Sequence, residues 1–301
     1  MSQTHDVIIV GGSFAGLSAA LQLVRARKHV LLIDAGAPRN RFAPASHGFL
    51  GQDGSAPAQI VGIALAQLRR YPTFVKIDGE AMSAAPGERG FEVELSDGRC
   101  VQGKRLVLAI GVRDQLPEIE GLAPLWGKSV LHCPYCHGYE IDGGPIGLLA
   151  SSPLAHHQGA LLPDWGATTV FLQPGVEFAE EDTAMLMKRG VSILQEPVIR
   201  LISKGEALQA AELADGRRVP IKALFVQTRV KPASPLADQL GAATEEGPQG
   251  PYIKTDEWGA TSIPGLFAAG DAATPMHNAT FASAAGVKAG IMAHRSLIWQ
   301  G

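Results

Sequence analysis

The sequence predicts the α/β class, with parallel sheets buried between layers of helices. Three features predict it. Short apolar, β-rich runs read as strands buried on both faces, and residues with helical periodicity follow them. A strand, a glycine-rich turn, a helix and a second strand stand in that order at the N-terminus. The same order returns, without the glycines, near the middle of the chain. Two nucleotide-binding, Rossmann-like domains of three layers each follow, and the sequence carries no other internal repeat and no low-complexity tail.

A chain of 301 residues, 46% of them hydrophobic, is long enough for two such domains. The net charge of −3 and the lack of a Lys/Arg run remove any electrostatic reason to expect a nucleic-acid partner. Three cysteines are too few for a secreted disulfide scaffold; a closely spaced pair suits a redox cycle in a reducing compartment, so a cytoplasmic location is expected. No basic region precedes the first strand, and Gly11, Gly12, Ser13 and Gly16 interrupt the apolar run after it. Neither a leader nor a membrane span is expected.

In order, residues 6–10 form a buried strand. Gly11-Gly12-Ser13-Phe14-Ala15-Gly16 makes a tight turn, Leu17, Ala20, Leu21 and Val24 mark a helix, and a strand over 30–33 ends at Asp34, 23 residues after Gly11. This is a dinucleotide fingerprint: the helix N-terminus faces a pyrophosphate and the acid a ribose hydroxyl. It departs in one place, since Ser13 replaces the middle glycine and brings a side chain close to the phosphate path. Residues 39–51 read as a loop, whose His47 is given no chemistry. A helix follows near 57–70, then a hairpin over 91–101 in which Cys100 packs, then a buried strand over 106–111 that stops at Gly111.

The second unit begins with a strand over 145–149, a helix over 154–162 and a strand over 168–172. Between the first two stand Ala150-Ser151-Ser152-Pro153-Leu154-Ala155. Cβ atoms and a proline replace the glycines that close phosphate approach requires, and Gln173-Pro174-Gly175 offers neither a ribose acid nor an arginine for a 2′-phosphate. A helix (179–189), a hairpin (198–219) and a strand (223–227) complete the unit. The Pro-rich stretch 232–235 leads back to the first domain, which ends with Gly265 to Ala272 and a helix over 278–299 bearing Ala279, Ala282, Ala285 and Ala289. His156 and His157 are expected at the surface.

Just before the second unit lies His132-Cys133-Pro134-Tyr135-Cys136-His137-Gly138. Two cysteines at this spacing close a small disulfide ring, and a helix starting there stabilises a thiolate at the first sulfur. A zinc site needs about four ligands, and beyond His132 and His137 only Cys100 remains among the cysteines. Buried apolar cysteines are the weaker reading, because Pro134 and Gly138 mark a turn.

The GxxxxG turn, the strand ending Ala109-Ile110-Gly111, the Cys-x-x-Cys before the second unit and the late Ala269-Gly270-Asp271 together resemble the low-molecular-weight thioredoxin reductases, over nearly the whole chain. The resemblance implies a discontinuous FAD domain, residues 1–113 and 236–301, and an inserted NADPH-type domain, residues 114–235. It implies FAD held by Gly11, Ser13, Phe14, Ala15, Gly16, Asp34, Ala109, Gly111, Gly270 and Asp271, with Asp271 on the ribityl chain and the final helix aimed at the flavin. It also implies that Cys136 makes the charge-transfer contact with the flavin while Cys133 attacks substrate, in a homodimer.

Three departures point away from reductase activity. The NADPH glycines are lost at Ala150, Ser151 and Ser152, the paired arginines after Phe171-Leu172 are absent, and His137 stands where Cys-Asp is usual. Cys133-Pro134-Tyr135-Cys136-His137 resembles the motif of the FAD-dependent dithiol oxidases that close disulfides in small natural products of the gliotoxin, holomycin and romidepsin type. That resemblance implies oxidation of a small-molecule dithiol, with O2 reoxidising the flavin to give H2O2. Thiol–disulfide exchange needs a thiolate, so a base is expected, His137 first and His277 second. The alternatives are a thioredoxin reductase fed by NADPH or ferredoxin, and a flavin-binding redox sensor without turnover.

Overall fold

A computed structural model describes residues 5–299; the residues before the first strand, read above for a leader, lie outside them. The chain divides into two compact units. One takes residues up to Arg41, Pro57–Asp114 and Val230 onward, and the other Phe42–Ala56 and Gln115–Arg229. The division falls at 114/115 and 229/230, beside the 113/114 and 235/236 expected from the sequence, and segment 42–56 goes with the second unit.

In the first unit, Phe74–Asp78, Val30–Asp34, His5–Val10 and Cys100–Leu108 lie side by side in parallel, and Leu266–Ala268 pairs with the end of Cys100–Leu108. The antiparallel strands Gly90–Leu95 and Ala81–Gly87 extend the sheet. Ile8 lies opposite Leu31 and Leu106, and Ile9 opposite Leu32 and Val107. Successive side chains of a strand point to opposite faces, so each run feeds two cores. Ile8, Leu31 and Leu106 pack with Phe91, Leu236 and Ile253 on one face, while Val7, Ile9, Leu32 and Val107 pack with Ala19, Leu23 and Ala289 on the other. That is why these strands read as unbroken apolar runs.

The helices Phe14–Arg25 and Ala279–Ser296 share that second face. A Cβ on Gly286 or Gly290 would run into the Ala15 or Ala19 carbonyl of the partner helix, so the small residues let the two backbones touch. Asn278 caps the second helix, its Oδ1 accepting from the Thr280 and Phe281 N–H at 2.8 and 3.4 Å. Cys100 begins its strand as expected, but it is exposed, which corrects the packing role.

The second unit holds a five-stranded parallel sheet in the order Ser192–Leu194, Gly166–Leu172, Gly143–Ala150, Ala223–Val226, Val130–Leu131. Helices Ala155–Leu161 and Glu180–Lys188 cover one face. The expected hairpin near 198–219 is a three-stranded meander, Val198–Lys204, Ala207–Leu213 and Arg218–Pro220, on the other. His157 is exposed as expected. His156 is mostly covered instead, Nε2 lying 3.5 Å from Asp182 Oδ1. Among the described residues no helix is long and apolar enough to cross a membrane.

Candidate active site

The cysteine pair follows the carboxyl end of Val130–Leu131, where parallel sheets place their functional loops. Cys133 is the N-cap of the four-residue helix Pro134–His137 and is joined to Cys136 as a disulfide, with a Cα–Cα distance of 5.4 Å. Pro134 supplies the fixed φ that suits a first helical position. Gly138 completes the turn, because a Cβ there would lie 2.6 Å from the Trp165 indole and from the Pro134 carbonyl. Trp165 therefore packs against the redox turn, edge-on to Tyr135 with ring centroids 5.3 Å apart.

His137 ends this helix and is half-buried. Burial pulls its imidazole below the usual range; Glu140 pulls the other way, and His47 adds to the depression. The ring is therefore neutral near pH 7 and able to accept a proton. Glu140, in the short turn Tyr139–Ile141 that follows, lies 3.3 Å from His47 Nε2, whose Nδ1 is 3.5 Å from Asp53. Segment 42–56 closes on itself through the Ser46–Ser55 bridge and brings His47 to the redox turn. Sequence reading gave His47 no chemistry and left out Glu140. The only available signals were the glycine-flanked histidine and the i,i+3 spacing.

The turn Gly11 to Gly16 is built for close backbone approach. Gly11 has φ +107°, and a Cβ on it would collide with the Ala109 carbonyl. One on Gly16 would collide with the Gly11 carbonyl, and one on Gly12 would lie 2.5 Å from the Asp34 carboxyl carbon. Gly12 N–H donates to Asp34 Oδ1 at 3.1 Å, which joins the turn to the acid. Ser13 is the N-cap of Phe14–Arg25 and makes no capping bond with its side chain. Gly270, at φ +77°, approaches Ala15 so that a Cβ would lie 2.9 Å from the Ala15 methyl, and Gly111 takes φ +65°. A cradle that Cβ atoms would fill, beside a helix N-terminus and an acid, fits a dinucleotide.

Asp271 and His277 belong to this first unit and meet at Arg39. Asp271 is largely buried, and burial raises its carboxyl above the usual range against the pull of His277 and Arg39. The two candidate bases thus stand in different units, His137 with the cysteines and His277 with Asp271.

The second unit's turn is different. Ala150 and Ala155 are wholly buried, Ser152 Oγ donates to Gln227 Oε1 at 3.3 Å, and Gln173 N–H closes onto the Ala150 carbonyl at 3.0 Å. Side chains stand where a pyrophosphate requires bare backbone.

Residues 5–286 match the pyridine nucleotide-disulphide oxidoreductase family. The chain belongs to that family. It is 35% identical to thioredoxin reductase tcpT of Claviceps purpurea, over 99% of this chain and 95% of that one. An oxidoreductase from Agrobacterium tumefaciens superposes with TM-score 0.94 at 47% identity, over 98% of this chain and 99% of that one. HlmI superposes with TM-score 0.91 at 36% identity, over 99% and 95%. This pyridine nucleotide-disulphide oxidoreductase is accordingly a thioredoxin-reductase-like enzyme, and its Cys133–Cys136 disulfide is the feature that matches the family's disulfide chemistry.

Proposed function

We propose that the protein is an FAD-dependent dithiol oxidase that closes a disulfide in a small-molecule dithiol. The observation that carries this reading is the pairing of a Cys133–Cys136 disulfide and an adjacent neutral His137 with a second-unit turn that lacks the glycines of a nicotinamide site. The thioredoxin-reductase-like relatives supply the flavoprotein precedent. Gly11, Gly16, Asp34, Gly270 and Asp271 would hold FAD, which supplies a two-electron acceptor for the cysteine pair and passes the electrons to O2 as H2O2.

A substrate thiol loses its proton to His137 Nδ1 or Nε2, and its thiolate attacks Cys133 Sγ. The Cys133–Cys136 bond breaks, Cys136 leaves as thiolate and a mixed disulfide forms on Cys133. The second substrate thiolate then attacks the substrate sulfur of that bond. The substrate disulfide closes, and both cysteines are left reduced, carrying the substrate's two electrons. The charge of Glu140, which favours the protonated His137 ring, would hold that proton until it leaves for solvent. We place the enzyme as a homodimer with no nucleic-acid partner.

Oxygen uptake by the purified FAD-loaded protein with dithiothreitol or an aromatic dithiol, and no nicotinamide, tests the reading. Turnover with H2O2 produced is expected, and uptake that requires NADPH would overturn it. The rival reading, a disulfide reductase fed by NADPH or ferredoxin, draws on the name borne by tcpT. It predicts anaerobic bleaching of the flavin by NADPH within seconds.

A further inference from the structure

We propose that Arg39 is a positioning residue: clamped by Asp114, it holds the Asp271 carboxylate and locks His277 as the neutral Nε2–H tautomer. His277 then acts as a hydrogen-bond donor and not as the thiol base. The functional half of this inference rests on the FAD-binding reading above; the tautomer does not.

Arg39 opens the short 3-10 turn Arg39–Phe42, in a stretch whose sequence shows little periodicity. Its side chain is 15% exposed and that of Asp114 is 5% exposed, so the pair is largely removed from water. Nε donates to Asp114 Oδ2 at 2.8 Å and Nη2 to Oδ1 at 2.5 Å, the fork geometry that a guanidinium makes with a carboxylate and a lysine cannot. Burial opposes the charge on Arg39, but the Asp114 bonds and the Asp114 and Asp271 charges outweigh it and keep the guanidinium charged. This fork fixes the position of the remaining nitrogen. Nη1 lies 3.6 Å from Asp271 Oδ2 and 2.9 Å from His277 Nδ1.

A guanidinium has donors and no acceptor. Nη1 must therefore donate to Nδ1, whose lone pair is then taken, and the single ring proton of His277 sits on Nε2. An imidazolium would turn an N–H against the guanidinium and bring two cations together. The net direction agrees: burial lowers the His277 imidazole and Arg39 reinforces this, while Asp271, Asp114 and a hydrogen bond to the Thr274 backbone act in the opposite sense. A base needs an open lone pair, and His277 has none in this arrangement. By contrast, the charges acting on His137 are those of Glu140 and His47. Gly270 lies against Ala15 of the dinucleotide turn and Asp271 follows it directly, so the clamped Arg39, 3.6 Å from Asp271 Oδ2, also bears on where this acid stands.

The test is a long-range 1H–15N correlation spectrum of the FAD-loaded protein with labelled histidine, with His277→Gln supplying the assignment. A neutral Nε2–H pattern is expected at pH 7, persisting at pH 6, where an unperturbed histidine of pKa about 6.5 is mostly charged. A Nδ1–H tautomer, or an imidazolium at pH 7, would overturn the proposal. In Arg39→Met the ring should regain an ordinary titration beside Asp271, and FAD should be held about tenfold more weakly. Arg39→Lys should restore the neutral ring in part. His277→Gln should leave the acid limb of the pH–rate profile in place, while His137→Gln removes it; the reverse would refute the assignment of roles. Failure to oxidise dithiols with the tautomer confirmed would sink the proposed activity alone.

Discussion

Replacing Gly286 by alanine tests how the two helices of the first unit determine the cofactor turn. The new Cβ would run into the Ala15 carbonyl, with the carbonyl carbon at 2.7 Å, about 0.7 Å inside an ordinary 3.4 Å contact. The obstacle is helix backbone, which cannot rotate away as a side chain can, so Phe14–Arg25 must shift as a body and carry Gly16 off the Gly11 carbonyl. Gly62, inside helix Pro57–Leu68, provides the control, since a Cβ there meets nothing within 4 Å. Both changes gain the same helical preference of about 1 kcal/mol. Their difference therefore isolates overpacking, about 1–3 kcal/mol, with Gly286→Ala the less stable. Urea denaturation followed by circular dichroism measures this, and flavin fluorescence measures the accompanying loss of FAD. Equal stability of the two variants, within about 0.5 kcal/mol, would refute the reasoning.

The other predictions concern the redox turn. Cys136→Ser is expected to abolish the long-wavelength thiolate-to-flavin absorbance while leaving FAD bound, and Cys133→Ser to keep or enhance it; loss of FAD in both would mean the motif has been given the wrong role. Burial keeps His137 neutral to below the ordinary histidine range, so the rate should hold as pH falls past about 6.5 and decline only as the ring charges. Glu140 is the contribution that raises this imidazole, so Glu140→Gln should move the acid limb to still lower pH. A move upward would contradict the electrostatics.

Much of this protein was legible residue by residue. The runs Val7 to Val10 and Val30 to Ile33 are apolar because both faces of their strands are buried there, and Gly11, Gly12 and Gly16 announce a turn that admits no Cβ. The missing glycines at Ala150 to Ser152 and the cysteine spacing were equally plain, since each is a local chemical requirement met or unmet within a few positions. The prediction that Cys100 packs failed because strand alternation alone does not reveal which end of a strand is covered.

What only the tertiary structure decided is the company each polar side chain keeps. Arg39 reaches His277 across a sequence separation of 238, and segment 42–56 joins the second unit so that His47 meets Glu140. No periodicity encodes such pairs. They arise where packed backbones bring charged groups together, and where such a cluster is buried, as at Arg39, Asp271 and His277, each group's proton depends on its neighbours. The sequence by itself determined which groups are present, a cysteine pair beside an imidazole and one glycine-bearing dinucleotide turn. Packing decided that the Arg39 guanidinium meets His277 and that His47 and Glu140 gather near His137.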